Sequence, residues 1–100
     1  MTVIELNRSQ WVQQEWMDLA ECKGQTHWFF APHGEQADAR ERREAVAMSI
    51  CRSCAVMDTC REYARRNREQ GFWGGENDEE RVNARRAARR AAERAARQIA

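Results

Sequence analysis

Apolar residues recur along this chain at helical rather than strand spacing, and four helices with no strand are predicted. Over residues 10–20, Val12, Trp16, Leu19 and Ala20 fall on one side of a helix for which Ser9 is a suitable N-cap. Such a helix delivers Cys22 just past its end. Residues 24–34, GQTHWFFAPHG, hold the only proline and two glycines, and read as a loop carrying adjacent aromatics. A second helix is expected from about Glu35 to Ile50, with Val46 and Ile50 one turn apart and Arg/Glu pairs outside. Cys51 closes it. A third runs from an N-cap at Asp58 through Cys60, Tyr63 and Ala64 to Gly71. The stretch GFWGG, 71–75, is a turn, because three glycines in five residues cost a helix too much entropy. Asn77, with Glu80 three residues on, begins the fourth helix in a capping-box pattern. The expected fold class is therefore all-α.

Charge divides the chain. Residues 1–80 carry 10 basic and 15 acidic side chains, a net of −5. Residues 81–100 carry seven arginines against Glu93 alone, a net of +6. This predicts a body over 1–80 and an Arg/Ala-rich helical tail over 81–100, an asymmetry that points to nucleic acid at one end. Large apolar residues are few, and a body this small needs a staple or a partner. The start MTVIELNRSQ is too polar for a signal peptide, and no run approaches the ~20 apolar residues of a membrane span. A cytoplasmic chain follows as the expectation, and there clustered cysteines serve metal or redox chemistry more often than disulfides. No Ser/His/Asp set, phosphate loop or catalytic carboxylate pair can be assembled, so neither an enzyme nor a small-molecule substrate is expected.

Four cysteines are present, and they are the candidate staple. Cys51-x2-Cys54 gives two thiolates a local bite, Cys60 lies on the next helix and Cys22 joins from a distant segment. Four thiolates suit tetrahedral zinc or an iron–sulfur cluster, while a CxxC pair is also compatible with dithiol redox chemistry. Structural zinc usually takes two short-spaced ligand pairs, whereas here three cysteines lie within ten residues and the fourth stands alone. His27 and His33 read as ordinary loop histidines beside a complete set of four thiols.

Cys22-x28-Cys51-x2-Cys54-x5-Cys60, followed by Gly71-Phe72-Trp73-Gly74-Gly75, resembles the WhiB-like proteins of actinobacteria and their phages. Phe29-Phe30 after the first cysteine and Trp16 six residues before it belong to the same resemblance, which spans residues 16–97. The chain departs from the family pattern at Ala31, Ala55 and Phe72. The resemblance implies a [4Fe–4S] cluster on Cys22, Cys51, Cys54 and Cys60, and a transcriptional regulator, redox or nitric-oxide responsive. It also implies docking on region 4 of the primary sigma factor of RNA polymerase. Trp16, Phe29, Phe30 and Trp73 would be the anchors, and Gly71, Gly74 and Gly75 would allow close backbone approach. From the residues alone, packing the thin core is the favoured role of the same aromatics.

The tail carries its own chemistry. On a helical wheel Arg81, Arg85, Arg86, Arg89, Arg90, Arg94 and Arg97 form a broad arc opposite an alanine side. Arginine forks match phosphate oxygens, so Arg85, Arg86, Arg89, Arg90, Arg94 and Arg97 are candidate DNA contacts with little sequence selectivity.

Overall fold

The computed structural model describes residues 14–99. Three α-helices and two short 3-10 turns make up the described chain: α1 (Ala37–Arg52), α2 (Met57–Asn67) and α3 (Asp78–Ile99), preceded by Glu15–Leu19 and Thr26–Trp28. The only pairing of extended residues described is an isolated bridge between Trp73 and Glu76. The all-α expectation holds.

The first predicted helix does not form as expected. Its cap Ser9, with Trp11 and Val12, lies outside the described residues. Within them Gln14 is extended (φ −92°, ψ 154°), and only a five-residue 3-10 helix follows before Ala20 turns extended again. Backbone bonds Ala20→Met17, Lys23→Ala20 and Gln25→Cys22 then fold the chain tightly around Cys22. A continuous helix would have carried that thiol past the core.

α1 starts two residues later than expected because Glu35 is engaged elsewhere. Its carboxylate receives Arg43 Nε at 2.6 Å and Nη2 at 3.0 Å, while Arg43 Nη1 donates to the Trp28 carbonyl at 3.1 Å. This partly buried fork ties the aromatic loop to α1. At its other end α1 continues through Cys51 to Arg52, so Cys51 occupies the last turn and is buried.

α2 begins at Met57, and Asp58 is not its cap: the buried Val56 takes that position and accepts the Cys60 amide at 2.9 Å. The helix ends at Asn67, short of Gly71, because Arg68 takes a left-handed conformation (φ 55°, ψ 47°) and Glu69 bonds back to Ala64. Asn77 and Glu80 form the expected capping box, with Glu80 N donating to Asn77 Oδ1 at 2.8 Å and Asn77 N to Glu80 Oε1 at 2.9 Å. The Asn77 amide also reaches Glu44 at 3.0 Å, which seats the start of α3 against α1.

The core is small, as the composition foretold. Phe29, Ala47, Cys51 and Phe72 form its buried centre, with Cys22, Trp28, Met48, Ile50 and Met57 packed around them. Phe29 and Phe72 meet edge to face at 6.1 Å, and Phe72 N donates to the Phe29 carbonyl at 2.8 Å. Two of the core's contributors are cysteines, which places the candidate chemistry at the centre of the fold. Among the described residues no helix is long and apolar enough to cross a membrane.

Candidate metal centre

All four cysteines line one cavity of ≈ 420 Å³, and none is in a disulfide. They arrive from three segments: Cys22 from the folded N-terminal loop, Cys51 and Cys54 from the end of α1 and the turn after it, and Cys60 from the first turn of α2. Bonds from Ser53 N to Ile50 O (3.2 Å) and Cys54 N to Cys51 O (3.0 Å) curl the CxxC segment so that both thiols face inward. Met17, Phe29, Ile50, Val56, Met57 and Phe72 supply much of the remaining wall. Among the described residues no three His, Cys, Asp or Glu side chains form a group placed to hold a single metal ion.

The electrostatics mark the thiols as a coupled set. Burial, then the charges of Cys51 and Cys22, push the Cys60 thiol up to about 12. Burial also raises Cys51 and Cys22, the latter with help from Cys54. Four thiolates in a largely apolar cavity repel one another and lack solvent, so their ionised form needs a positively charged centre among them. The backbone amides of Gly75 and Gly74 near Cys51, and of Gly74 near Cys60, work against that rise.

Those amides belong to a tight hairpin. Trp73 N donates to Glu76 O at 3.0 Å and Glu76 N to Trp73 O at 3.1 Å, leaving Gly74 (φ 58°) and Gly75 (φ 79°) as the two central residues. Two successive positive φ angles are the signature of a type I′ turn, which glycine adopts without strain. A Cβ on Gly74 would stand 2.5 Å from the Arg61 amide nitrogen and 2.7 Å from its Cα. The close approach expected of this glycine is thus to the backbone of α2, inside the fold. Gly74→Ala is expected to destabilise the protein by about 3 kcal/mol or more, combining left-handed strain with a backbone overlap. A chemical-denaturation midpoint near that of the unaltered protein would contradict this.

The aromatic residues divide. Phe29 is 5% exposed and belongs to the core, because its carbonyl and ring both engage Phe72. Phe30 is 43% exposed and covers Gly71, where a Cβ would lie 2.6 Å from its ring. Trp16 and Trp73 are half-buried on the cavity wall. Tyr63, which the sequence reading had left simply as a helix residue, sits between them, its ring centroid 5.4 Å from Trp16 and 5.8 Å from Trp73. Its position one turn after Cys60 was the available signal. The Trp73 indole donates to Gln70 O at 2.8 Å, which fixes its orientation in the glycine turn.

Two further groups escaped the sequence. Arg65 grips Glu76 with contacts down to 2.6 Å, and Arg61 Nε donates to Gly74 O at 2.8 Å, so α2 holds the hairpin from one side. Arg81, counted with the basic tail, is instead 1% exposed. Of the other tail arginines, Arg86, Arg89, Arg90, Arg94 and Arg97 are exposed, and Arg85 is half-buried.

A small helical domain ringed around four thiols and a glycine hairpin has known relatives. The family described as Transcription factor WhiB matches residues 16–84. The redox-responsive transcriptional regulator WhiB3 of Mycolicibacterium smegmatis is 41% identical over 69 residues, which cover 67% of this chain and 72% of that protein. The transcriptional regulator WhiD of Streptomyces coelicolor is 41% identical over 69 residues (67% and 62% covered), and WhiB1 of Bifidobacterium longum 36% over 75 (73% and 80%). The chain belongs to the WhiB family of transcription factors. The family match ends at Ala84, before the six exposed or half-exposed tail arginines.

Proposed function

We propose that this WhiB-family regulator holds a [4Fe–4S] cluster on Cys22, Cys51, Cys54 and Cys60 and docks on region 4 of the primary sigma factor. The observation that carries the reading is the convergence of all four free thiols on one cavity at the centre of a thin core. A lone zinc ion would draw its sulfurs to within ~3.8 Å of one another, given Zn–S bonds of ~2.3 Å. A cavity of ≈ 420 Å³ lined by all four thiols has room for a larger polynuclear group. When bound, such a cluster supplies a cationic iron core that accepts the thiolates and can change oxidation state. The residues of the chain bring the thiols together, keep water from them with Met17, Phe29 and Phe72, and set two backbone amides near them.

Docking falls to the surface beside the cavity, where Trp16, Tyr63, Trp73 and Phe30 offer aromatic area that the small core does not absorb. Because the docking aromatics and the thiols share one wall, loss of the cluster would disturb the docking surface, and this gives a redox response a physical route. Four relatives named WhiB3 are described as redox-responsive regulators, two of them as redox- and pH-responsive, in keeping with that route. The chain works as a regulator and not as an enzyme, in the cytoplasm, with DNA contacted by the tail through Arg85, Arg86, Arg89, Arg90, Arg94 and Arg97.

The test begins with the protein purified without air. It is expected to be brown with about four irons per chain, and to form a complex with isolated sigma region 4. Trp73→Ala is expected to weaken that complex by about 2 kcal/mol, roughly 30-fold in Kd, with iron content nearly unchanged. Colourless protein with stoichiometric zinc would sink the cluster reading. Iron lost in step with binding would make Trp73 part of the core instead.

A further inference from the structure

Among the described residues Arg81 is the largest fully buried side chain, and its contacts lead away from the tail. Its Nη1 donates to Glu69 O at 2.6 Å and Asp78 Oδ1 at 3.1 Å. Its Nη2 donates to Gly71 O at 2.7 Å and Glu76 O at 2.9 Å. One guanidinium therefore spans three carbonyls of the 69–76 segment, before, within and at the end of the glycine turn. Its Nε, buried, has no hydrogen-bond partner, and the nearest carboxylate oxygen, Glu76 Oε1, stands at 3.9 Å.

The Glu76 carbonyl is the link. It accepts Arg81 on one side and the Trp73 amide, at 3.0 Å, on the other, and that second bond closes the hairpin around Gly74 and Gly75. We propose that Arg81 is a positioning residue: by holding the Glu69, Gly71 and Glu76 carbonyls it fixes the hairpin, and with it the Gly74 backbone that lines the cavity beside Cys51 and Cys60. Fixed N–H donors at ligand sulfurs set how readily a cluster is reduced, oxidised and lost. In this respect the inference rests on the cluster reading above and assigns it a further residue.

Bulk stability alone does not account for such a group. Burying a guanidinium is costly, and an apolar side chain of similar volume often serves stability as well or better. Planar bidentate geometry is what arginine adds, and lysine, a point charge on a flexible stem, cannot reproduce it. Charge is therefore not the operative property here; the fork is.

Full-length Arg81→Lys and Arg81→Met test this against Ala64→Gly, a fully buried α2 position whose methyl group makes none of the hydrogen bonds that hold the turn and whose loss lowers stability. The first readout is amide hydrogen exchange of Gly74 and Gly75 in the iron-free chain. Both Arg81 variants are expected to speed it by about tenfold or more, and well beyond Ala64→Gly compared at equal stability. The second readout is bleaching of the loaded protein in air, expected to be several-fold faster in both Arg81 variants than in Ala64→Gly. Exchange at the two glycines that rises no more than in Ala64→Gly would overturn the proposal, as would full rescue by lysine. Should the unaltered protein bind no iron, the cluster reading fails, and the exchange comparison still decides whether Arg81 positions the hairpin.

Discussion

Cys60→Ser is expected to abolish stable cluster binding and, with it, most of the thermal stability of the loaded protein. Cys60 lies in the first turn of α2 and lines the cavity with the other three cysteines, so no spare thiol is at hand to replace it. Removing groups that merely support a metal ligand costs 10–100-fold in affinity, and removing a ligand should cost at least about 100-fold. A site filled at 100 times its dissociation constant stabilises the fold by ~2.7 kcal/mol, which for a chain of this size is roughly 10–20 °C in Tm. The loaded unaltered protein should lose that margin on iron removal, and Cys60→Ser should melt near the iron-free form under all conditions. Iron analysis and calorimetry on anaerobically reconstituted samples check both halves. A serine variant that retains full iron would remove Cys60 from the ligand set.

The second large effect is expected at the other end of the chain. Removing residues 85–100 should leave the cysteine cavity and the sigma complex intact while eliminating most direct DNA affinity. Residues 1–84 carry 11 basic and 15 acidic side chains, a net of −4, and repel phosphates. The deleted segment carries six arginines and one glutamate on a helix that is exposed from Arg86 onward. If all six arginines meet phosphates, the slope of log affinity against log salt should shrink by about 5, and affinity at 50 mM salt should fall by roughly 100-fold or more. The cut is placed after Ala84 because a cut before Arg81 would also remove the buried guanidinium that holds the glycine hairpin. Fluorescence anisotropy with duplex DNA over a salt series reads both quantities. Unchanged affinity and slope would leave the tail as a solvated helix.

Much of this protein was legible in its sequence because the signals are local. Helical spacing located α1 and α3 within about two residues, and Asn77 with Glu80 marked the start of α3 because a capping box lies within one turn. The glycine turn was equally clear, since successive positive φ angles at Gly74 and Gly75 require residues without a Cβ. The four cysteines announced a shared site through spacing and type, and the family followed from their combination with that turn.

Tertiary structure alone decided the rest, and in each case the cause is a contact between residues far apart in sequence. Phe29 became core while its neighbour Phe30 stayed outside, because Phe72, more than forty residues on, claims the Phe29 ring and carbonyl. The helix expected over 10–20 gave way, among the described residues, to a short 3-10 turn, because Cys22 must fold back to reach the cavity. Tyr63 joined Trp16 and Trp73 only when α2 was docked beside the hairpin. Arg81 reads in sequence as one more tail arginine, and a helical wheel cannot distinguish it from Arg85. Only the packed turn places three carbonyls within reach of its guanidinium, and hydrogen bonds to those carbonyls, not the residue's own charge pattern, made it the most deeply buried side chain of its size among the described residues.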